Sequence, residues 1–565
     1  MHPVLDRIYR SRGVTSADEL DLSLGRLLPF SDLSGIDDAV ELLRQALAQN
    51  KRILFIGDFD ADGATSCAVG VRALRAMGAS QVSYLVPNRF EFGYGLTPEL
   101  VAVAAEQQPD ILVTVDNGIS SHEGVDAANA LGIDVLITDH HLPAETLPSA
   151  AAIVNPNVAG DVFSSKSIAG VGVIFYVMIA LRAKLRAVSW FDPASRAEPN
   201  LGELLDFVAL GTVADVVSLD RNNRVLVSQG LARIRAGRCH PGIQALLEVG
   251  GRELERVTAS DLSFAVAPRL NAAGRLDDMA LGIECLLSDD AAAAARYAQT
   301  LDQLNRERRE IEATMRTDAE EILASVLPDE SAHVNGLCLF DERWHSGVVG
   351  ILAGRLKERF NRPTIVFAPD PMGGLKGSAR SVKGVHIRDV LDSVASKNPG
   401  LIDKFGGHAM AAGVTLAQAK FEAFREAFDA EIANLLDGST REHLLLSDGA
   451  LAAPELSCEF AERLRSAGPW GQAFAEPIFD DEFRVQSARR VGSRHIKLRL
   501  CVRDGTELDA IAFNALSDDD AEVAVGPFIH AAYRLDVDTF RGNKRLQLIV
   551  EHFTSAERPQ LRAAR

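Results

Sequence analysis

A chain of 565 residues, 47% hydrophobic and 24% charged, has the length for three or four domains and the apolar content to give each a core. Its net charge of −19 argues against a generally basic nucleic-acid-binding surface and leaves any such binding to local patches. Six scattered cysteines without a Cys-x-x-Cys pair argue against a disulfide framework or a thiolate zinc site and fit a reducing cytoplasm.

The first residues, MHPVLDRIYRSRG, lack the apolar stretch of a signal peptide. The longest apolar run, from Ile168 to Leu181, is shorter than the ~18 residues of a membrane span. A cytoplasmic protein with no membrane partner is expected. Residues 1–48 form a helical segment ending in DDAVELLRQALAQN and carry no interpretable motif. From Lys51 the pattern changes. KRILFIGDFD reads as a strand running into a polar turn, and TSCAVGVRALRAMGA as a helix. QVSYLVP, ILVTVDNG, VLITDHH and AAIVNP read as further strands with helical stretches between several of them. This alternation predicts an α/β domain over 49–287 with a parallel sheet covered on both faces. Ligands of such sheets sit at the carboxyl ends of the strands, where this chain places acids and histidines.

Residues 288–330 read as a connector helix, with Leu301, Leu304, Ile311, Met315, Ile322 and Val326 along one face and Pro328 as its stop. A smaller α/β domain is expected over 331–445. From 455 to 556 the chain turns to five short strands, FRVQSARRV, IKLRLCV, ELDAIAF, FIHAAYRLDVDTF and KRLQLIVEHF, which suit a small OB-type barrel.

The chemistry-bearing residues cluster at the predicted strand ends. Asp58, Asp60 and Asp62 follow a long apolar strand, and three acids in one turn repel one another unless a cation offsets them. A solvated turn or a helix cap is the plainer alternative for one such acid, less so for three. Asp116 closes ILVTV, Asp139-His140-His141 closes VLIT, and Asp215 interrupts the apolar stretch LGTVADVV. Acids within apolar stretches are rare unless paired or metal-bound. A few imidazoles among many carboxylates favour Mn²⁺ or Mg²⁺ over structural zinc, and the number of acids favours two ions. Two-metal centres stabilise both the attacking and the leaving oxygen in phosphoester hydrolysis.

Asp-x-Asp, Asp-Asn-Gly, Asp-His-His and Val-Ala-Asp-Val-Val, in this order, resemble the successive motifs of the DHH phosphoesterase superfamily. The resemblance implies Asp58, Asp60, Asp62, Asp116, His140 and Asp215 as metal ligands. It also implies that Asp116 bridges the ions and that His141 faces the scissile phosphate. GGHAMAAG resembles the glycine-rich motif of the DHH-associated domain, in which Gly406 and Gly407 admit phosphate to backbone N–H groups and His408 adds a donor. A helix start with close packing is the alternative for this motif. Ser378 and Arg380 have the composition of a phosphate clamp. NRFEFGYGL, with Arg89 and Tyr94, and NAAGRLDD, with Arg275, extend the resemblance and imply further substrate contacts.

The likeness runs from about residue 50 to 556 and points to the exonuclease branch of the superfamily. It implies 5′-to-3′ hydrolysis of single-stranded DNA to mononucleotides in DNA repair and recombination; the polarity comes from the resemblance alone. The barrel would hold the strand through Arg489, Arg490, Arg494, Lys497, Arg541, Lys544 and Arg545. The run from Arg484 to Arg499 contains no acid, although a solvated basic face is the alternative. With only 6% aromatic residues, electrostatics and channel shape should outweigh stacking. Candidate protein partners are a helicase or a single-strand-binding protein, and a monomer is expected. Two other functions compete. A phosphodiesterase of short oligonucleotides or cyclic dinucleotides would usually lack the barrel, and an inactive scaffold would have lost the acids.

Overall fold

The apolar runs ILFIG and ILVTV are buried at every residue, as expected of central strands covered on both faces. In a computed structural model they are β1 (Ile53–Gly57) and β3 (Ile111–Val115). With β2 (Val82–Leu85), β4 (Asp134–Thr138) and β5 (Ala152–Val154) they form a sheet of order β2-β1-β3-β4-β5, parallel throughout. The structure describes residues 1–87, 92, 95–326, 334–370, 373–435, 444–492, 494–502, 505–516, 525–538 and 544–556.

The carboxyl ends of β1, β3 and β4 lie side by side in this order, so Asp58, Asp116 and Asp139 emerge at one edge of the sheet. Asp215 differs from its expected place. It follows no strand but caps the carboxyl end of the helix Leu205–Ala214, nine of whose residues are buried. The apolar run around it therefore reflects a core helix, which periodicity alone does not distinguish from a buried strand.

The connector is a single helix, Ala291–Val326, with Leu301 and Met315 buried; Pro328 lies outside the described residues. Beyond it lie β6 (Leu337–Phe340), β7 (Thr364–Pro369), β8 (Leu375–Arg380), β9 (Lys404–Gly407) and β10 (Ala411–Leu416). They form a sheet of order β6-β7-β8-β10-β9 in which only β6 and β7 run parallel. The alternative of a helix start at the glycine-rich motif fails. Gly406 and Gly407 end β9 and pair with Gly413 and Ala412 of β10, so the motif is a hairpin with His408 at its turn. Gly407 has φ 146° and no room for a side chain, since a Cβ there would lie 2.4 Å from the Ala411 carbonyl oxygen.

The last five strands are β11 (Phe479–Val491), β12 (His495–Cys501), β13 (Glu507–Ala512), β14 (Phe528–Asp538) and β15 (Arg545–Ser555). They close into a barrel of order β11-β12-β13-β15-β14, which leaves no free sheet edge. The N-terminal segment supports this barrel. Arg12 pairs with Asp448 at 2.7 Å, the Tyr9 hydroxyl donates to the Ala467 carbonyl at 2.7 Å, and the Tyr9 ring stacks on Trp470 and Phe474. Its second helix, Ile36–Ala48, packs on Gly170–Ala187 of the parallel-sheet domain. One continuous apolar core thus reaches from the parallel sheet to the barrel. Among the described residues no helix is long and apolar enough to cross a membrane.

Candidate metal centre and substrate cleft

Each acid of the centre is held by a local feature of the chain. Asp60 caps the helix Ala61–Ala76, its carboxylate accepting from the N–H groups of Asp62 at 2.9 Å and Gly63 at 3.0 Å. Asp62, fully buried, accepts from the N–H groups of Gly170 at 2.7 Å and Val171 at 2.9 Å, the positive start of another helix. Asp116 sits in a left-handed conformation, φ 62°, at the end of β3. Asn117 anchors that turn by donating to the carbonyls of Ile56 and Val115.

Two glycines let helices approach the acids. A Cβ at Gly170 would lie 2.8 Å from Asp116 Oδ1, and one at Gly211 would lie 2.7 Å from Asp62 Oδ1. NAAGRLDD also supports the first turn. Asn271 Oδ1 accepts from the Ala61 N–H at 2.7 Å, and Gly274 packs directly on the Phe59 carbonyl.

The result is a compact set of ligand atoms. Asp58, Asp60 and Asp116 form one group; Asp62, His140 and Asp215 form another; Asp116, His140 and His141 form a third, each within 4.8 Å. Asp116 belongs to two of these groups. His140 Nε2 lies 3.1 Å from Asp116 Oδ1 and 3.5 Å from Asp215 Oδ2. His140 Nε2 and Asp215 Oδ2 are both buried without a hydrogen bond among the described residues. Polar atoms buried in that way indicate a ligand to be bound.

The electrostatics agree. Burial, then the charge of Asp60, raises the Asp62 pKa to about 7. Burial and the surrounding acids, Asp62 foremost, raise those of Asp116 and Asp215 well above the carboxylate range. Burial and His141 lower His140 to about 4, so it offers a free imidazole. His141 behaves oppositely. Burial opposes its charge, but the bond to Asp139 at 2.7 Å and the charges of Asp139, Asp215 and Asp58 outweigh this and raise it to about 9.

Asp139, given no role in the sequence reading, turns out to position that ring. Its carboxylate also accepts from the N–H groups of Ile119, His140 and His141, so it is fully committed as an acceptor. Its place as the first residue of Asp-His-His was the available signal. Gly170 and Gly211, in AGVGV and ALGTV, gave none, because only the packed helices show their purpose.

The second sheet lies across the cleft. The His408 ring stacks toward His141 with centroids 6.1 Å apart. Arg380 pairs with Ala411 across β8 and β10, which sets Ser378 and Arg380 at the same end of the sheet as the His408 turn. Arg380 Nη1 donates to Ser378 Oγ at 3.0 Å, and burial lowers its pKa. Arg275 reaches between the domains and donates to the Gly347 carbonyl at 3.1 Å. Arg89 and Tyr94 lie outside the described residues.

On the barrel, Arg489 and Arg490 are exposed on β11, and Lys497 stands opposite Arg489 on β12. Arg494 is half-buried in the turn between these strands, and Arg545 is exposed at the start of β15. Two cations of the region are partly neutralised. Lys544 pairs with Glu462 at 2.6 Å, and Arg499 pairs with Glu507 at 3.1 Å and Asp509 at 2.9 Å. Arg541 lies outside the described residues.

Acids gathered at parallel strand ends, a second sheet carrying Ser378, Arg380 and His408 across the cleft and an OB barrel define a metal-dependent phosphoesterase that works on nucleic acid. The chain matches the DHH family, N-terminal domain, over 52–212, the DHHA1 domain over 329–434 and the RecJ OB domain over 447–552. It is 55% identical to the single-stranded-DNA-specific exonuclease RecJ of Dickeya dadantii, covering 97% of this chain and 95% of that one. It is also similar to crystal structures of RecJ from Thermus thermophilus. For the complex with Mn²⁺ the TM-score is 0.80 at 32% identity, covering 98% of this chain and 76% of that one. For the complex with Mg²⁺ it is 0.75 at 30% identity, covering 98% and 75%. The chain belongs to the RecJ family of DHH nucleases.

Proposed function

We propose that this protein is a single-stranded-DNA exonuclease that removes nucleotides from the 5′ end, using two Mn²⁺ or Mg²⁺ ions. Asp58, Asp60, Asp62, Asp116, His140 and Asp215 would hold the ions, and Asp116 belongs to two of the three ligand groups. The carrying observation is that His140 Nε2 and Asp215 Oδ2 lie buried and unbonded among like-charged acids, an arrangement suited to hard cations. When bound, such ions supply Lewis acidity at the phosphate and activation of the attacking water.

The side chains do the rest. His141, oriented by Asp139 and with its pKa raised to about 9 by Asp139, Asp215 and Asp58 in the metal-free site, faces the scissile phosphate, and His408 faces it from the other wall. Ser378 and Arg380, with the Gly406–Gly407 hairpin, hold the terminal phosphate; Arg275, Arg89 and Tyr94 hold the adjacent nucleotide. The barrel grips the incoming strand with Arg489, Arg490, Arg494, Lys497, Arg541, Lys544 and Arg545. The proposed division is chemistry in 49–287, end recognition in 331–445 and strand holding in 455–556, joined by the connector 288–330 and braced by 1–48. A phosphodiesterase of short oligonucleotides would have no use for a barrel continuous with the catalytic core.

The enzyme is proposed to act as a cytoplasmic monomer in DNA repair and recombination. A helicase or single-strand-binding protein is the proposed partner class, because duplex must be opened before such an enzyme can act. The test uses oligonucleotides labelled at either end, single- and double-stranded, with Mn²⁺ or with EDTA. Release of 5′-terminal mononucleotides from single strands, abolished by EDTA, is expected. Internal fragments, or equal attack on duplex, would refute the reading.

A further inference from the structure

Two cavities flank the catalytic domain and share one residue, Phe264. The larger, of about 860 Å³, lies between the catalytic body and the barrel, with Phe264, Val216, Trp470 and Phe513 in its wall. The smaller, of about 520 Å³, lies between the connector helix and the helix Val349–Phe360 of the second domain. Phe264 is 74% exposed, within a π-helical turn, Leu262–Val266. A large apolar ring held in water by an irregular helical turn costs stability, and such turns are frequent at functional sites. Ser263, beside it, donates to the Val213 carbonyl, two residues before Asp215, and so ties this turn to the helix that carries Asp215.

The smaller cavity concentrates positive charge in a strongly acidic protein. Arg275, Arg308, Arg309, Arg316 and Arg355 line it, and Glu312 is its only carboxylate. Glu312 is already engaged by Arg308 at 2.6 Å and Arg355 at 3.3 Å. Arg309 and Arg316 make no ion pair among the described residues. Burial lowers the Arg308 pKa and the Arg309 and Arg355 charges add to this, although Glu312 opposes it. Guanidinium groups crowded into a concave surface without enough acids form a site for an anion.

We propose that this groove is a second nucleotide site, separate from the metal centre, taking a deoxynucleoside 5′-monophosphate with its base on Phe264 and its phosphate among Arg309, Arg316 and Arg355. Its volume falls within the ~300–1,000 Å³ range of small-ligand sites. An aromatic face beside guanidinium groups matches the two halves of a nucleotide. The proposal rests on the exonuclease reading. On this reading the groove receives the released product. Its occupation there would slow the next cycle.

The test is calorimetric titration of the full-length protein in EDTA with dAMP and, separately, inorganic phosphate. Saturable dAMP binding is expected, weakened roughly tenfold or more in Arg309→Ala/Arg316→Ala. Phe264→Ala should weaken dAMP binding and leave phosphate binding unchanged. Unaltered dAMP affinity in the double-arginine variant would overturn the site. In Mn²⁺ the same variant should keep its initial rate on short 5′-phosphorylated strands but lose inhibition by added dAMP. An initial rate that falls with the dAMP affinity would place the strand itself in the groove and overturn the product assignment. A wild type that binds dAMP yet cleaves no strand would refute the exonuclease reading while leaving the nucleotide site intact.

Discussion

Raising the pH of the metal-free protein should destabilise its catalytic domain, and replacing Asp62 by Asn should remove part of that effect. An acid with a folded pKa above its unfolded value keeps its proton longer in the folded state. Stability is then lost as pH rises toward the folded pKa, the reverse of the usual salt-bridged carboxylate. Asp62 moves from 3.8 to about 7, with burial as the main cause and Asp60 next. Between pH 5 and pH 8 the linkage amounts to roughly 2–3 kcal/mol. For a domain of ~150–250 residues that corresponds to roughly 5–10 °C in Tm. Asn cannot serve the Gly170 and Val171 N–H groups equally well, but this loss is independent of pH and cancels in the comparison. The assay is differential scanning fluorimetry of wild type and Asp62→Asn in EDTA at both pH values. The Tm of the variant relative to wild type should rise by several degrees from pH 5 to pH 8. Saturating Mn²⁺ at pH 8 should raise the wild-type Tm and raise the variant's far less. A wild-type–variant gap that is the same at both pH values would refute the argument.

Asp116→Ala should reduce exonuclease turnover at least a thousandfold on an order-of-magnitude basis, with an unchanged circular dichroism spectrum, because it belongs to two ligand groups. Gly211→Ala should gain about 1 kcal/mol of helix propensity and lose about 1–3 kcal/mol to overpacking, since its Cβ would meet Thr65 Oγ1 at 2.3 Å and Asp62 Oδ1 at 2.7 Å. Its signature is a small Tm change with a large fall in kcat, and wild-type kcat would contradict the packing argument. Arg380→Ala should slow cleavage of 5′-phosphorylated strands by roughly tenfold or more and 5′-hydroxyl strands far less, read as initial rates at saturating Mn²⁺. Arg489→Glu/Arg490→Glu should weaken binding to long single strands and lower the slope of log affinity against log salt by about one or two; an unchanged slope would make this basic face a solvated one.

The sequence displayed those parts of the fold that periodicity encodes. Apolar runs ending in acids gave β1, β3 and β4 with their site residues, and alternating short strands gave the barrel. Asp215 was recognised as a site residue but its element was not, because a helix buried on every side has the same apolar composition as a buried strand. The glycine-rich motif was ambiguous for a related reason: glycine permits either a hairpin or a close-packed helix start, and only pairing between β9 and β10 decides. Asp139 lay in plain view and was overlooked, since its function is to orient a neighbour. Asn271 and Gly274 act across more than 200 residues of chain on the turn at Phe59 and Ala61, a relation that spacing does not carry. The same holds for Lys544 and Arg499, whose acidic partners lie elsewhere in the sequence and temper the basic patch.

A net charge of −19 and a polyanionic substrate are compatible because each acts over a different range. At physiological salt the Debye length is about 8 Å, so the charge of the whole chain is largely screened at the distance of an approaching strand. Within that distance the local groups decide. Such local cations are present: Arg489 and Arg490 are exposed on the barrel, Arg380 lies beside the cleft, and several arginines surround Glu312. The centre is itself a sink of negative charge, and without cations it would repel the phosphate it must bind. Metal loading is therefore a condition for the scissile phosphate to approach Asp116 as well as for the bond to break.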